Sequence, residues 1–140
     1  MLKRVSYVSR FAQPLDARQL QELGEAANRK NEALGLTGVL MTSGGIFYQV
    51  LEGPPDVVDE LMATIHGDER HTDILILRTE TSEERSFPDW SMRMINLDAA
   101  SHVRLLPLKA LILALFKHEQ LIQDMIWAIE RTVQHEMRQV

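Results

Sequence analysis

The sequence predicts an α+β domain: a mixed sheet on the plan β-α-β-β-α-β-β, a split β-α-β arrangement with one extra strand and both connecting helices on one face. Three observations carry that prediction. Short runs rich in Val, Ile, Leu, Phe and Tyr alternate their side chains between two faces. Two stretches with apolar residues three and four apart lie between such runs. The residues after Leu97 are helical in pattern.

In chain order, Leu2–Val8 is the first strand, with Val5 and Tyr7 on one face and Ser6 and Val8 on the other. Pro14 and Asp16 open a helix running to about Glu32. Its stripe of Leu20, Leu23 and Ala27 continues to Lys30 and Asn31, and Gly35 ends it as a C-terminal cap. Leu36–Thr42 is the second strand, and the Ser43-Gly44-Gly45 turn joins it to Ile46–Leu51 as a hairpin. Gly53-Pro54-Pro55-Asp56 breaks that strand and starts a second helix, whose Val58, Leu61, Met62 and Ile65 face inward and which ends near Gly67-Asp68. Ile74–Thr79 is a fourth strand, Glu80–Arg85 a loop or an exposed strand end, and Trp90–Asn96 a fifth strand with Trp90, Met92 and Met94 on one side. Two further helices, roughly His102–Lys117 and His118–Arg138, are expected to cover the face the first two leave bare. The second would do so through Ile122, Met125, Ile126, Ile129 and Val133. The whole reads as one compact domain, 1–97, with a helical extension, 98–140, packed on the sheet.

Composition narrows the function. The 45% hydrophobic and 25% charged content is that of an ordinary globule, and a net charge of −5 argues against a nucleic-acid surface, which needs clustered Lys and Arg. With no cysteine, the chain has no disulfide, thiolate metal site or cysteine nucleophile. MLKRVSYVSR lacks the apolar core of a secretory signal. The longest apolar run, Leu105–Phe116, is interrupted by Pro107 and Lys109 and is too short to span a bilayer. A soluble, cytoplasmic protein with no membrane association is the expectation. No G-x-S-x-G, P-loop, G-x-G-x-x-G or H-E-x-x-H pattern occurs. His66 and His71, flanking Asp68-Glu69-Arg70, read as a solvated helix terminus rather than as metal ligands. No catalytic or metal site is assigned.

Gln49 asks for an explanation. Strand parity sets it between Phe47 and Leu51 on an apolar face, and burying such an amide without partners costs on the order of 2 kcal/mol. Either the backbone satisfies it, or a ligand edge meets it. If it faces the two helices, Tyr7 on the neighbouring strand shares its face. These two would then floor a slot walled by Leu23 and Ile65, with Asn31 at the end of the first helix and Trp90 and Met92 on the last strand. A flat heteroaromatic with a polar edge suits such a slot, and Arg29, Lys30 and Arg70 near its mouth would meet a phosphate. Each residue also has a plain reading: strand tyrosine, helix-terminal asparagine, core filler.

The chain resembles the BLUF family of flavin-binding blue-light sensors over about Leu2 to Leu97. The matching pieces are the strand with Tyr7, N-x-x-x-G-[LI]-T-G at Asn31–Gly38, F-x-Q-x-L-E-G at Phe47–Gly53, D-E-R-H at Asp68–His71 and W-S-M at Trp90–Met92. The layout of the helical tail is that of short, single-domain members. The resemblance implies a ferredoxin-like domain holding a non-covalent flavin, FAD or in some members FMN, between its two sheet-facing helices. It implies that Tyr7 gives an electron and a proton to the photoexcited flavin. Gln49 would bridge Tyr7 and the N5/O4 edge of the ring and rearrange its hydrogen bonds after light. Asn31 would hold the pyrimidine side, Leu23 and Ile65 would sandwich the ring, and Asp68 and Arg70 would contact the flavin or its side chain. Trp90 and Met92 would relay the change. Some relatives carry a second asparagine just before the first; here that position is Lys30.

With no effector domain recognised, the expected output is a separate protein partner or a change in self-association as a homo-oligomer. Two other classes compete. A flavin oxidoreductase would turn over NADH, and a flavin-free ferredoxin-like interaction module would stay colourless with added FAD.

Overall fold

The computed structural model describes residues 1–99 and 103–138, without the side chain of Val103. Its elements are β1 (Leu2–Phe11), α1 (Ala17–Leu34), β2 (Thr37–Ser43), β3 (Ile46–Gly53), α2 (Pro55–His66), β4 (His71–Ser82), β5 (Arg93–Asn96), a short 3-10 turn (Val103–Leu105) and α3 (Leu106–Arg138). This is the α+β architecture the sequence predicts. The strands form one mixed sheet in the order β4-β1-β3-β2-β5, antiparallel except for the β2–β5 pair.

Local chemistry fixes the helix that matters most. Asp16 caps α1 by accepting from the Gln19 amide (2.8 Å), while the Gln19 side chain accepts from the Asp16 amide (2.9 Å), a reciprocal capping box. At the other end Gly35 adopts φ 70°, a left-handed conformation that a side chain would strain, and its amide bonds back to the Asn31 and Glu32 carbonyls. The cap therefore also sets where Asn31 stops along the helix.

Two apolar layers flank the sheet. On one face Val5, Tyr7, Leu40, Phe47 and Leu51 pack under Leu20 of α1 and Val58, Leu61, Met62 and Ile65 of α2. On the other, Val8, Ile46 and Leu97 pack under Ile112 and Phe116 of α3.

The first, fourth and fifth strands and the tail differ from what the sequence predicts. The fifth strand is shorter, Arg93–Asn96 instead of Trp90–Asn96, because the backbone before it leaves the β2–β5 register, in which Val39 faces Arg93. Trp90 offers its carbonyl to the Gly38 amide, and Met92 gives its amide to the Asn28 side chain. The fourth strand is longer and takes in part of the expected loop, since β1 extends to Phe11 and pairs with it from Leu2–Ser82 to Phe11–His71. The two expected tail helices are one continuous helix. No Gly or Pro interrupts Lys117-His118-Glu119, all residues a helix accepts. The predicted start, His102, lies outside the described residues.

The covering role assigned to Ile122, Met125, Ile126, Ile129 and Val133 is corrected with it. A 33-residue helix runs about 50 Å at 1.5 Å per residue, whereas five strands at ~4.8 Å make a sheet roughly half as wide. Ile112 and Phe116 seat on the sheet; Met125, Ile126, Ile129 and Val133 run past it and are exposed, with Ile122 half-buried at the transition.

Candidate functional site

Tyr7 and Gln49 are directly opposite each other in the β1–β3 ladder, and both are buried. The Tyr7 hydroxyl donates to Gln49 Oε1. Burial, assisted by the negative charge of Asp68, raises the Tyr7 pKa well above the ordinary phenol value, so the hydroxyl stays protonated at any physiological pH. The other end of the amide, Gln49 Nε2, points at Met92 Sδ (3.6 Å), a weak acceptor that leaves donor capacity over.

Above this pair, α1 and α2 leave a slot of about 170 Å³. Leu23, Ile65, Leu40 and Gln49 line it together with Lys30, Asp68, Arg70 and His71, whereas Tyr7, expected at its floor, is not a lining residue and meets the slot only through its bond to Gln49. Asn31 lines it too. This residue is only 2% exposed, yet its Nδ2 has no hydrogen-bond partner among the described residues. A buried amide donor without an acceptor is costly and rare in proteins. A ring carbonyl would satisfy it, and Leu23 and Ile65 offer apolar contact to the faces of a flat ring. The residues present thus fit a flavin.

Asp68 and Arg70 form a close ion pair at the mouth (2.5 Å), and the Arg70 guanidinium holds the Asp68 carboxyl down to about 2. The expected phosphate-facing cluster is only partly assembled. Lys30 and Arg70 line the slot, whereas Arg29 does not. Two residues from both Ala27 and Asn31, Arg29 sits about 200° around the helix and projects to solvent.

Met92 reaches the site, 4% exposed, while Trp90 lies 37% exposed outside it, stacked on Phe87 (5.7 Å) with the Arg93 guanidinium over its ring (5.6 Å). A larger groove of about 590 Å³, between α1 and the residues around β5, includes Trp90, and among the described residues none of its side chains is a buried polar group lacking a partner.

His71 also lies elsewhere than the sequence suggests. It is no solvated helix end. It opens β4, half-buried, with Nδ1 2.9 Å from Ser9 Oγ, its ring tilted against Phe47 (4.6 Å) and edge-on to Tyr7 (6.2 Å). Burial lowers its pKa, with Asp68 opposing and Arg70 adding to the effect. Its place opposite Phe11 in the ladder is the signal that locates it, and that pairing requires a first strand longer than the apolar pattern alone suggests.

Residues 2–93 match the family model of BLUF, sensors of blue-light using FAD. The chain belongs to the BLUF family. The photoactivated adenylate cyclase subunit beta of Euglena longa is 34% identical over 92 residues, 65% of this chain and 11% of that protein, so the chain spans about a tenth of that relative. A bacterial light-regulated adenylyl cyclase has a similar structure, with a TM-score of 0.81 at 35% identity over 89% of this chain and 36% of that one. The dark-state structure of the BLUF protein BlrB aligns over 96% of both chains, with a TM-score of 0.68 and 30% identity. Among the described residues of this BLUF chain, no helix is long and apolar enough to cross a membrane.

Proposed function

We propose that this chain is a blue-light photoreceptor that binds FAD in the slot between α1 and α2, with Tyr7 and Gln49 as the photoactive pair. The observation that carries the reading is the buried Tyr7–Gln49 hydrogen bond at the floor of a slot whose Asn31 lacks an acceptor. FMN shares the ring and is the alternative cofactor. Asn31 would hold the ring's pyrimidine side and Leu23 and Ile65 its faces, while Lys30, Asp68 and Arg70 would meet the side chain of the cofactor.

A bound flavin supplies light absorption and a strong electron acceptor in its excited state. The protein supplies the rest. Tyr7 holds its proton on Oη, aimed at Gln49 Oε1. An electron given up to the excited ring would make the phenol strongly acidic, and Gln49 Oε1 is the acceptor its proton already faces, with the Nε2 hydrogens free to pass a proton onward. Gln49 offers a donor and an acceptor on one group, and its rotation or tautomerisation exchanges which of them the ring edge receives. Met92, against Gln49 Nε2, is the first residue to feel that exchange, and the residues leading into β5 carry it on.

In this reading 1–97 is the light-sensing unit, the chain is cytoplasmic and has no catalytic activity of its own, and 98–140 delivers the output. The exposed apolar stripe of α3 supports signalling to a separate protein or to a second copy of the chain. The test is purification, release and identification of any bound flavin, and a spectrum before and after a blue pulse. A flavin band that shifts to the red and relaxes in darkness supports the proposal. A protein that stays colourless with added FAD or FMN is an interaction module instead, and steady NADH turnover would make it an oxidoreductase.

A further inference from the structure

The connection between β4 and β5 leaves one edge of the sheet at Ser82 and reaches the other at Arg93, so it crosses β1, β3 and β2, roughly 20 Å at the ~4.8 Å strand spacing. Backbone that crosses without helix or ladder needs other partners for its polar groups. It finds side chains. Arg4, Glu52 and Thr37 form one cross-strand row, Glu52 being opposite both of the others. Glu52 is buried and accepts from the amides of Ser86 (2.9 Å) and Phe87 (2.5 Å), with Arg4 and Thr37 as further donors. Arg85 donates to Thr37 Oγ1 and to the Gly35 carbonyl. Farther on, the Gly38 amide donates to the Trp90 carbonyl (2.8 Å), and the Met92 amide donates to Asn28 Oδ1 on α1 (3.1 Å).

Strand parity puts the Glu52 side chain on the sheet face opposite Gln49. The crossover is thus pinned on one face by Glu52 and on the other by Asn28, and it ends with Met92 Sδ on Gln49 Nε2 while Trp90 remains outside. Resting on the photoreceptor reading above, we propose that Glu52 and Asn28 are positioning residues for the Gln49 switch. By holding the crossover at Ser86, Phe87 and Met92, they set the dark orientation of the Gln49 amide and the rate at which it is regained. Neither residue lines the slot, so they act through Met92 and not by touching the cofactor.

The experiment uses the flavin-loaded full chain as wild type, Asn28→Leu, Asn28→Asp and Glu52→Gln, with amide exchange read by NMR and dark recovery read by absorption. Asn28 is half-buried on a helix, so its variants should fold. Asn28→Leu is expected to speed Met92 amide exchange roughly tenfold and to change dark recovery by a similar factor at unchanged flavin content. Asn28→Asp keeps the acceptor and should stay within about twofold of wild type. Glu52→Gln leaves one acceptor oxygen for donors that now share two, and should deprotect Ser86 or Phe87 and move recovery as Asn28→Leu does. Faster exchange with wild-type recovery would overturn the proposal, as would wild-type protection in both Asn28→Leu and Glu52→Gln. A wild-type protein that shows no light shift would instead fail the photoreceptor reading, while amide exchange still reports separately whether the two residues hold the crossover.

Discussion

Tyr7 and Gln49 meet because the antiparallel register of β1 on β3, from Lys3 opposite Gly53 to Arg10 opposite Ile46, sets them directly across from each other and so on one face of the sheet. Asn31 is a polar group placed against its own stability. Asn31→Leu keeps the branched skeleton, has the open slot beside it to take the larger methyls, and removes a buried donor without a partner among the described residues, so unfolding stability should stay level or rise. Flavin affinity should fall about tenfold, the worth of one hydrogen bond; denaturation and flavin titration read the two opposite signs. His71 gives a pH prediction. Its folded pKa is below the unfolded value near 6.5, so the unfolded chain binds more protons on acidification. Stability is therefore complete above about pH 6.5 and falls as pH drops from there through the lower folded value. A melting series from pH 7.5 to 5 should show that decline, and His71→Gln should flatten it. At this scale Tyr7, Gln49 and Asn31 were legible from parity and helix spacing. Arg29 was misplaced because proximity in sequence to Lys30 and Asn31 says nothing of helix phase, and His71 because its surroundings depend on a pairing that the apolar pattern leaves short.

The helices and the hairpin were legible as elements, since each has its own cap or turn: Asp16, Gly35, Gly44-Gly45, Pro54-Pro55. The last strand was not, because an extended loop and a strand share the alternation of Trp90–Asn96 and differ only in where the amides bond. The contact between α1 and β5 is tight enough to test. A Cβ on Gly24 would lie 2.6 Å from Met94 Cβ. Gly24→Ala gains up to ~1 kcal/mol in helix propensity but overpacks this contact at about 1–3 kcal/mol, so the net effect should be destabilising by denaturant titration. A neutral or stabilising result would mean that α1 can lift from β5.

For the molecule as a whole, the helical tail was legible as helix but its fate was not. A period-3.6 stripe says that a face is apolar, and only the length of the helix against the width of the sheet says that much of it overshoots. The two ends of α3 should therefore respond differently. Phe116→Ala, in the layer under the sheet, should cost about 3–5 kcal/mol, whereas Ile129→Glu should change stability by less than about 0.5 kcal/mol in dilute protein. Equal costs at both sites would mean the outer half of the helix is covered in solution.

In the proposed mechanism, light is read by the hydrogen bond between Tyr7 and Gln49. The most direct measurement is the light-minus-dark difference spectrum of the flavin-loaded protein, recorded for wild type beside Tyr7→Phe and Gln49→Leu at equal flavin content. A reversible red shift is expected in the wild type and none in either variant. A wild-type shift in Tyr7→Phe or Gln49→Leu would contradict it.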